Sequence, residues 1–255
     1  MTFSPDVWLY IMLFAASLLA GFIDAMAGGG GLITLPALLA AGLPPQLALG
    51  TNKFQSSFGS FSASLHFIRK GHADWKTART GVIFTFIGAA FGAWLVTMLP
   101  SGLLSKVIPF LLLGIVVYFI FSPDLGKLDK KPKIPHMQFF IPAGMVLGFY
   151  DGFFGPGTGS FWAVALMLIC GYNMVKATAY TKIMNFTSNI ASLLVFLVKG
   201  QVFFKIGIVM AIGQFAGARL GSSMVIKNGS RIIRPVFITA VLCIVGSLIY
   251  RNFFK

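Results

Sequence analysis

Apolar stretches long enough to cross a bilayer follow one another along almost the whole chain, and few folds tolerate that. A transmembrane helix needs about 20 apolar residues. Stretches of this kind run at about 7–26, 46–67, 80–99, 103–122, 138–153, 174–198, 205–226 and 231–251. Hydrophobic residues make up 57% of the 255 residues and charged residues only 10%, so a water-soluble globule would lack polar side chains to cover its surface. Inside lipid every backbone polar group has to be satisfied within the protein. The sequence therefore predicts an all-α integral membrane protein with about eight full spans.

Two further apolar pieces, 31–43 and 158–171, are too short to cross alone. Each follows a glycine cluster, Gly28-Gly29-Gly30-Gly31 and Gly155-Pro156-Gly157-Thr158-Gly159, and the first is closed by Pro44-Pro45. Non-helical backbone at membrane depth is tolerated only where protein or a water-filled cavity satisfies it. These pieces read as broken or re-entrant helices.

The halves of the chain match. A shift of 127 residues lays Gly21-Phe22-Ile23-Asp24 on Gly148-Phe149-Tyr150-Asp151, Gly28 on Gly155 and Gly30 on Gly157. A shift of 129 lays Ala48 on Ala177, Lys53 on Lys182, Lys70-Gly71 on Lys199-Gly200, and Gly88/Gly92 on Gly217/Gly221. Shared hydrophobicity does not align Asp with Asp and Lys with Lys inside apolar segments. The expected organisation is a first repeat at 1–122, a hydrophilic cytoplasmic linker at 123–137 and a second repeat at 138–255. Duplicated membrane chains with discontinuous helices at corresponding positions are characteristic of secondary transporters, whose site lies at the repeat interface.

Twenty Lys and Arg stand against six acids, all of them Asp: residues 6, 24, 74, 124, 129 and 151. In a soluble protein this excess would suggest nucleic acid. Here loop charge under the positive-inside rule explains it better, and no nucleic-acid partner is expected. Cys170 and Cys243 read as small core residues. The absence of Lys or Arg before Val7 argues for a first span rather than a cleaved signal peptide. His66, His72 and His136 have no ligand spacing, so neither a metal nor another cofactor is expected, and no catalytic triad can be argued. The expectation is that the chain is not an enzyme.

The G-F-x-D-x-x-x-G-x-G-G run at Gly21–Gly31, its looser echo at Gly148–Gly159, and the string Ala48-x-Gly50-Thr51-Asn52-Lys53 with its echo Ala177–Lys182 resemble the sulfite exporter TauE/SafE family, also called the toluene-sulfonate uptake permease family. The resemblance covers essentially the whole chain. It implies a multi-pass carrier in the bacterial inner membrane that moves small anions, often sulfur-containing or organic. Pro156 and Tyr180-Thr181 break the strict equivalence of the halves.

An ionisable residue inside a span costs about 2.5–3.5 kcal/mol or more at the bilayer centre, so the repeat-matched ones call for a reason. Lys53 and Lys182 are read as lying near the N-terminal ends of their segments, where a helix dipole favours a bound anion between them. Snorkelling to the interface is the alternative. Thr51, Asn52, Thr181 and Asn185 would add hydrogen-bond donors. Backbone N–H groups at Gly29, Gly30, Gly157 and Thr158 would face the anion, close helix packing being the alternative there. Asp24 and Asp151 either couple transport to protons, or cap the following loop or pair with a lysine. Gly88/Gly92 and Gly217/Gly221 read as helix-packing sites. Arg219 would pair with an aspartate, face the cavity or snorkel. Polar residues from Gln55 to Ser64, matched by Asn185, Thr187, Ser188 and Asn189, suggest a cavity lining.

Orientation stays open from sequence. Basic residues cluster at 69–79 and 127–133, both expected to be cytoplasmic. If the short pieces return to their side of origin, the halves are parallel; if they complete a crossing, the halves are inverted. The leading expectation is a secondary carrier of a small anion working by alternating access, in a lipid bilayer and compatible with a homodimer. An anion-selective channel and a non-transporting membrane scaffold are the alternatives.

Overall fold

The structure, a computed structural model, describes residues 6–121 and 133–228. Span 231–251, Cys243 and most of the linker lie outside the described residues. Among the described residues the chain is helical and contains no strand. The helices are α1 (Val7–Ala27), α2 (Gly31–Ala40), α3 (Pro45–Arg69), α4 (Trp75–Met98), α5 (Ser101–Phe121), α6 (His136–Phe153), α7 (Thr158–Leu168), α8 (Met174–Val198) and α9 (Phe204–Asn228). Four of them are long and apolar enough to cross a membrane, at Val7–Met26, Trp75–Met98, Met174–Val198 and Phe204–Lys227.

Local chemistry sets the boundaries. Pro44-Pro45 starts α3 rather than ending α2: Pro45 takes the first helical position, where no N–H is needed. The Asp74 carboxylate accepts from the Thr77 amide at the start of α4, and Asn173 accepts from the Lys176 amide at the start of α8. The short pieces are helices of 10 and 11 residues, bounded by the glycine breaks.

Glycines decide how the long helices approach. A Cβ at Gly88 or Gly92 on α4 would run into the backbone of Met145 and Phe149 on α6; one at Gly217 or Gly221 on α9 would run into Leu18 and Phe22 on α1. The two pairs α4–α6 and α1–α9 are therefore pressed backbone to backbone, as small-residue interfaces in membranes allow. Large apolar side chains such as Ile83, Ile87, Phe91, Ile208 and Ile212 point outward, as lipid contact requires.

The register of contacts fixes relative direction. Gly50 of α3 approaches Phe196 of α8, while Ser60 accepts from Asn189. These two helices, matched by the 129-residue shift, run antiparallel. Thr51, Gly59 and Ser62 of α3 meet Phe203, Gln214 and Phe215 in rising order, so α3 runs parallel to α9. Ser60 and Asn189 are equivalent positions under the shift, and their contact marks the middle of the α3–α8 pair.

Candidate functional site

The two glycine breaks meet beside the α3–α8 pair. Gly28 ends α1 with φ 80, and Gly155 and Gly157 precede α7 with φ 103 and 85. Side chains are strained in this left-handed region. A Cβ on Gly28 would lie 2.5 Å from the carbonyl carbon of Gly159, and one on Gly31 would lie 3.2 Å from Cα of Pro156. The breaks touch backbone to backbone, which leaves no room for larger residues.

Next to them lies a cavity of about 30 Å³. Its side-chain lining is Asp24, Asn52, Lys53, Ser56, Asp151, Thr158, Asn185 and Asn189, with backbone from Gly28, Gly31, Gly155, Gly157 and Gly159. That volume holds about two waters, so the cavity is closed around very little.

Two ion pairs organise it, and each joins a residue early in the chain to one late in it. Lys53 Nζ lies 2.6 Å from Asp151 Oδ1, and Lys182 Nζ lies 2.8 Å from Asp24 Oδ2. The lysine side chains are 2% and 0% exposed and the aspartates 6% and 18%, so these are buried pairs and not snorkelling cations. Each carboxylate has a second donor. The Gly30 amide donates to Asp24 at 3.1 Å, and the Ser188 hydroxyl donates to Asp151. Burying a charge is tolerable only with a partner and further hydrogen bonds. Both conditions are met here.

The lysines do not lie at helix N-termini, as their position after the chain breaks suggests. Because α3 starts at Pro45 and α8 at Met174, Lys53 and Lys182 sit about two turns inside their helices. Their neighbours are aspartates distant in sequence. Asp24 both accepts from the following loop and pairs with a lysine.

The other predicted residues divide. Asn52, Asn185, Gly157 and Thr158 come together at the cavity. Asn52 accepts from Thr34 (2.6 Å) and Gln55 (2.9 Å), and Thr158 donates to the Gly155 carbonyl at 2.6 Å. Asn185 Oδ1 is buried without a hydrogen-bond partner among the described residues. Gly30 faces Asp24, while Gly29 is buried outside the lining. Thr51 and Thr181 are not in the lining. The Thr51 hydroxyl accepts from the Phe203 amide at 2.9 Å, and the Thr181 hydroxyl is buried with no partner among the described residues. Arg219 meets no aspartate among the described residues; its guanidinium donates to Nδ1 of His66 at 2.5 Å. Ser188 is the member of the predicted polar stripe that reaches a carboxylate, although its equivalent under the shift is Gly59. Thr34, which donates to Asn52, carries no mark in the sequence, being one polar residue in an apolar helix.

A multi-pass helical membrane protein with a closed, charged polar centre is the class these features define. The chain belongs to the sulfite exporter TauE/SafE family of membrane transporters: the family's sequence pattern matches residues 13–248. It is 45% identical over 242 residues to the "Probable membrane transporter protein" of Haemophilus influenzae, covering 95% of each chain. It is 44% identical over 239 residues to "Probable membrane transporter protein YfcA" of Escherichia coli K12, covering 94% of this chain and 89% of that one. A more distant relative, "Probable membrane transporter protein MJ0441" of Methanocaldococcus jannaschii, is 24% identical over 259 residues, with 93% and 95% covered. No solved structure matches.

Proposed function

We propose that the chain is a secondary carrier for a small anion in the bacterial inner membrane, working by alternating access between two inverted repeats. The observation that carries this reading is the pair of crossed Lys–Asp bridges, Lys53–Asp151 and Lys182–Asp24, at the meeting of the glycine breaks. The antiparallel course of α3 and α8 supports the inversion. The centre has two cations and two carboxylates. An arriving anion must compete with a carboxylate for a lysine, and the displaced carboxylate is stabilised by taking a proton. Asp24 and Asp151 are thereby the coupling groups, and Lys53 and Lys182 the anion-binding groups. Asn52, Asn185, Thr158 and the amides near Gly30 and Gly157 supply the remaining hydrogen bonds, and Thr51 and Thr181 hold the surrounding helices.

Contacts on both sides of the centre support a closed state. On one side the Tyr180 hydroxyl donates to Asp74 at 2.6 Å. At the position equivalent to Tyr180, the Thr51 hydroxyl accepts from the Phe203 amide. The family description points to sulfite, moving outward, as the first anion to test.

The test is flux in proteoliposomes containing sulfite, sulfate, thiosulfate, sulfoacetate or small carboxylates. A carrier gives saturable flux and counter-flow, and Lys53→Ala or Lys182→Ala abolishes it while the protein still inserts. Unchanged flux in both variants defeats the assignment of the lysines. Non-saturating flux without counter-flow identifies a channel, and no flux with any anion identifies a scaffold. Asp24→Asn and Asp151→Asn should remove the pH dependence of transport; its survival in both excludes the coupling role.

A further inference from the structure

A second cavity, of about 520 Å³, opens at the end of the bundle where α3 gives way to α4, α8 begins and α9 ends. Its polar wall carries His72, Asn173 and Lys176, and its apolar wall Met174, Val175 and Ile226. This end also bears Arg69, Lys70, Lys76, Arg79 and Lys227, whereas Lys106 near the start of α5, Lys199 after α8 and Lys205 at the start of α9 lie at the other end. The positive-inside rule makes the end with the larger cluster cytoplasmic.

The Lys176 ammonium lies 4.3 Å over the Tyr172 ring, which fixes it at the cavity wall. The acid in its neighbourhood is Asp74, already engaged by the Tyr180 hydroxyl at 2.6 Å and the Thr77 amide at 2.8 Å. The basic wall is thus only partly neutralised by the protein's own carboxylates.

The apolar wall leads inward. Met174, Val175 and Ile226 pack against a fully buried cluster that includes Met26, Ala63, Phe67, Ala179 and Val225. Met26 stands two residues after Asp24, and Ala179 three residues before Lys182. Members of this cluster therefore stand within one helical turn of both partners of the Lys182–Asp24 bridge.

We propose that the cavity is a cytoplasmic vestibule that receives a small oxyanion on Lys176 and His72, and that the Met26–Ala63–Phe67–Ala179–Val225 cluster is the gate between it and Lys182. This rests on the carrier reading and adds to it a receiving site and an order of events: the anion meets Lys176 first, and Lys182 once the gate parts. Lys182, rather than Lys53, is the lysine that exchanges anion with the cytoplasm. Tyr180, between Lys176 and Lys182 on α8, ties this end of α8 to the start of α4 through Asp74.

Thiol accessibility tests it without requiring transport. Val175→Cys and Ala179→Cys are introduced singly into the full chain with Cys170 and Cys243 replaced by Ala, in oriented vesicles of phosphatidylcholine. Each is exposed to an anionic and a cationic methanethiosulfonate. Val175→Cys is expected to react from the cytoplasmic face only, with the anionic reagent favoured about tenfold by the basic wall. Adding Lys176→Gln should remove most of that preference. Ala179→Cys should resist both reagents from both faces and become reactive when Phe67→Ala or Met26→Ala opens the gate. Reaction of Val175→Cys from the opposite face, absence of charge preference, or an Ala179→Cys that reacts at rest would each overturn the proposal. Phosphatidylglycerol in the vesicles separates the two sources of oxyanion: unchanged labelling supports a free ion, and blocked labelling replaces the vestibule with a lipid headgroup seat. If flux is absent but this labelling pattern holds, the carrier reading fails while the basic cavity and its apolar barrier stand. If flux is saturable but the pattern fails, only the vestibule falls.

Discussion

Removing Lys53 should destabilise the protein far more than removing Lys53 together with its partner's charge. The Lys53 side chain is 2% exposed and its ammonium bonds Asp151 at 2.6 Å, while the Asp151 side chain is 6% exposed and otherwise held by Ser188. Lys53→Met preserves most of the apolar stem but leaves a buried carboxylate with one hydroxyl donor. Breaking a buried pair on one side costs about 3–5 kcal/mol. In a domain of about 150–250 residues, 1 kcal/mol moves the melting temperature by about 2–4 °C, so the expected loss is about 6–20 °C. The double variant Lys53→Met/Asp151→Asn removes both charges, and the side-chain carbonyl of the introduced amide still accepts from Ser188, so most of the loss should return. Thermal unfolding in detergent, followed by intrinsic fluorescence at constant protein and detergent concentration, measures all four corners of the cycle. The expected coupling is about 2–3 kcal/mol, within the range found for contacting residues. Additive single and double variants would refute it: Lys53 and Asp151 would then not depend on each other. Flux should be lost in both the single and the double variant, because restoring stability does not restore the cation.

Further outcomes rest on other contacts. Gly28→Ala should cost about 2–5 kcal/mol, combining a left-handed residue with a clash against the Gly159 backbone, read as reduced yield and melting temperature; a neutral effect would mean the breaks do not interlock. Gly217→Leu should push α9 off α1 and reduce the monodisperse fraction in size-exclusion chromatography, whereas Gly114→Leu, which has open space around it, should not. At the start of α4, the Tyr180 hydroxyl, followed by the Thr77 amide, holds the Asp74 carboxyl below its usual value of 3.8. A depressed carboxyl contributes stability fully above the unfolded value, and that contribution is lost as pH falls through the lower folded value. Tyr180→Phe should therefore move the acid limb of the stability profile upward toward pH 3.8, and an unmoved limb would show that the bond is absent.

Much of this arrangement is legible in the sequence because the halves can be read against each other. The register that sets Lys53 on Lys182 and Asp24 on Asp151 singles out the four residues that form the buried bridges. Which lysine meets which aspartate is not legible, since the pairing crosses 98 residues in one case and 158 in the other. A one-dimensional repeat shows equivalence and not contact. The span read at about 46–67 begins within a residue of α3, at Pro45; its start leaves Lys53 eight residues inside the helix rather than at its end. Loop charge does not decide between parallel and inverted halves, whereas the contacts of Gly50 with Phe196 and Ser60 with Asn189 set α3 against α8. Thr51 and Thr181 resemble site donors through their position beside the lysines. Thr51 lies two residues from Lys53, about 200° around the helix, and its hydroxyl meets the Phe203 amide instead.

The antiparallel setting of α3 and α8 gives the crossed bridges their consequence. The Ser60–Asn189 contact lies on the axis that relates the two helices, and Lys53 and Lys182 each lie seven residues from it along their own helix, on opposite sides. The two bridges therefore lie on opposite sides of that contact, beside the glycine breaks. Lys53 holds Asp151 from the following half of the chain, and Lys182 holds Asp24 from the preceding one, so the two bridges tie the halves together. Opening toward one face should stretch the bridge on that face and leave the other intact. In the carrier proposed above, such a centre is held closed by its own carboxylates, and an anion that replaces one of them relieves the strain only on the side from which it came.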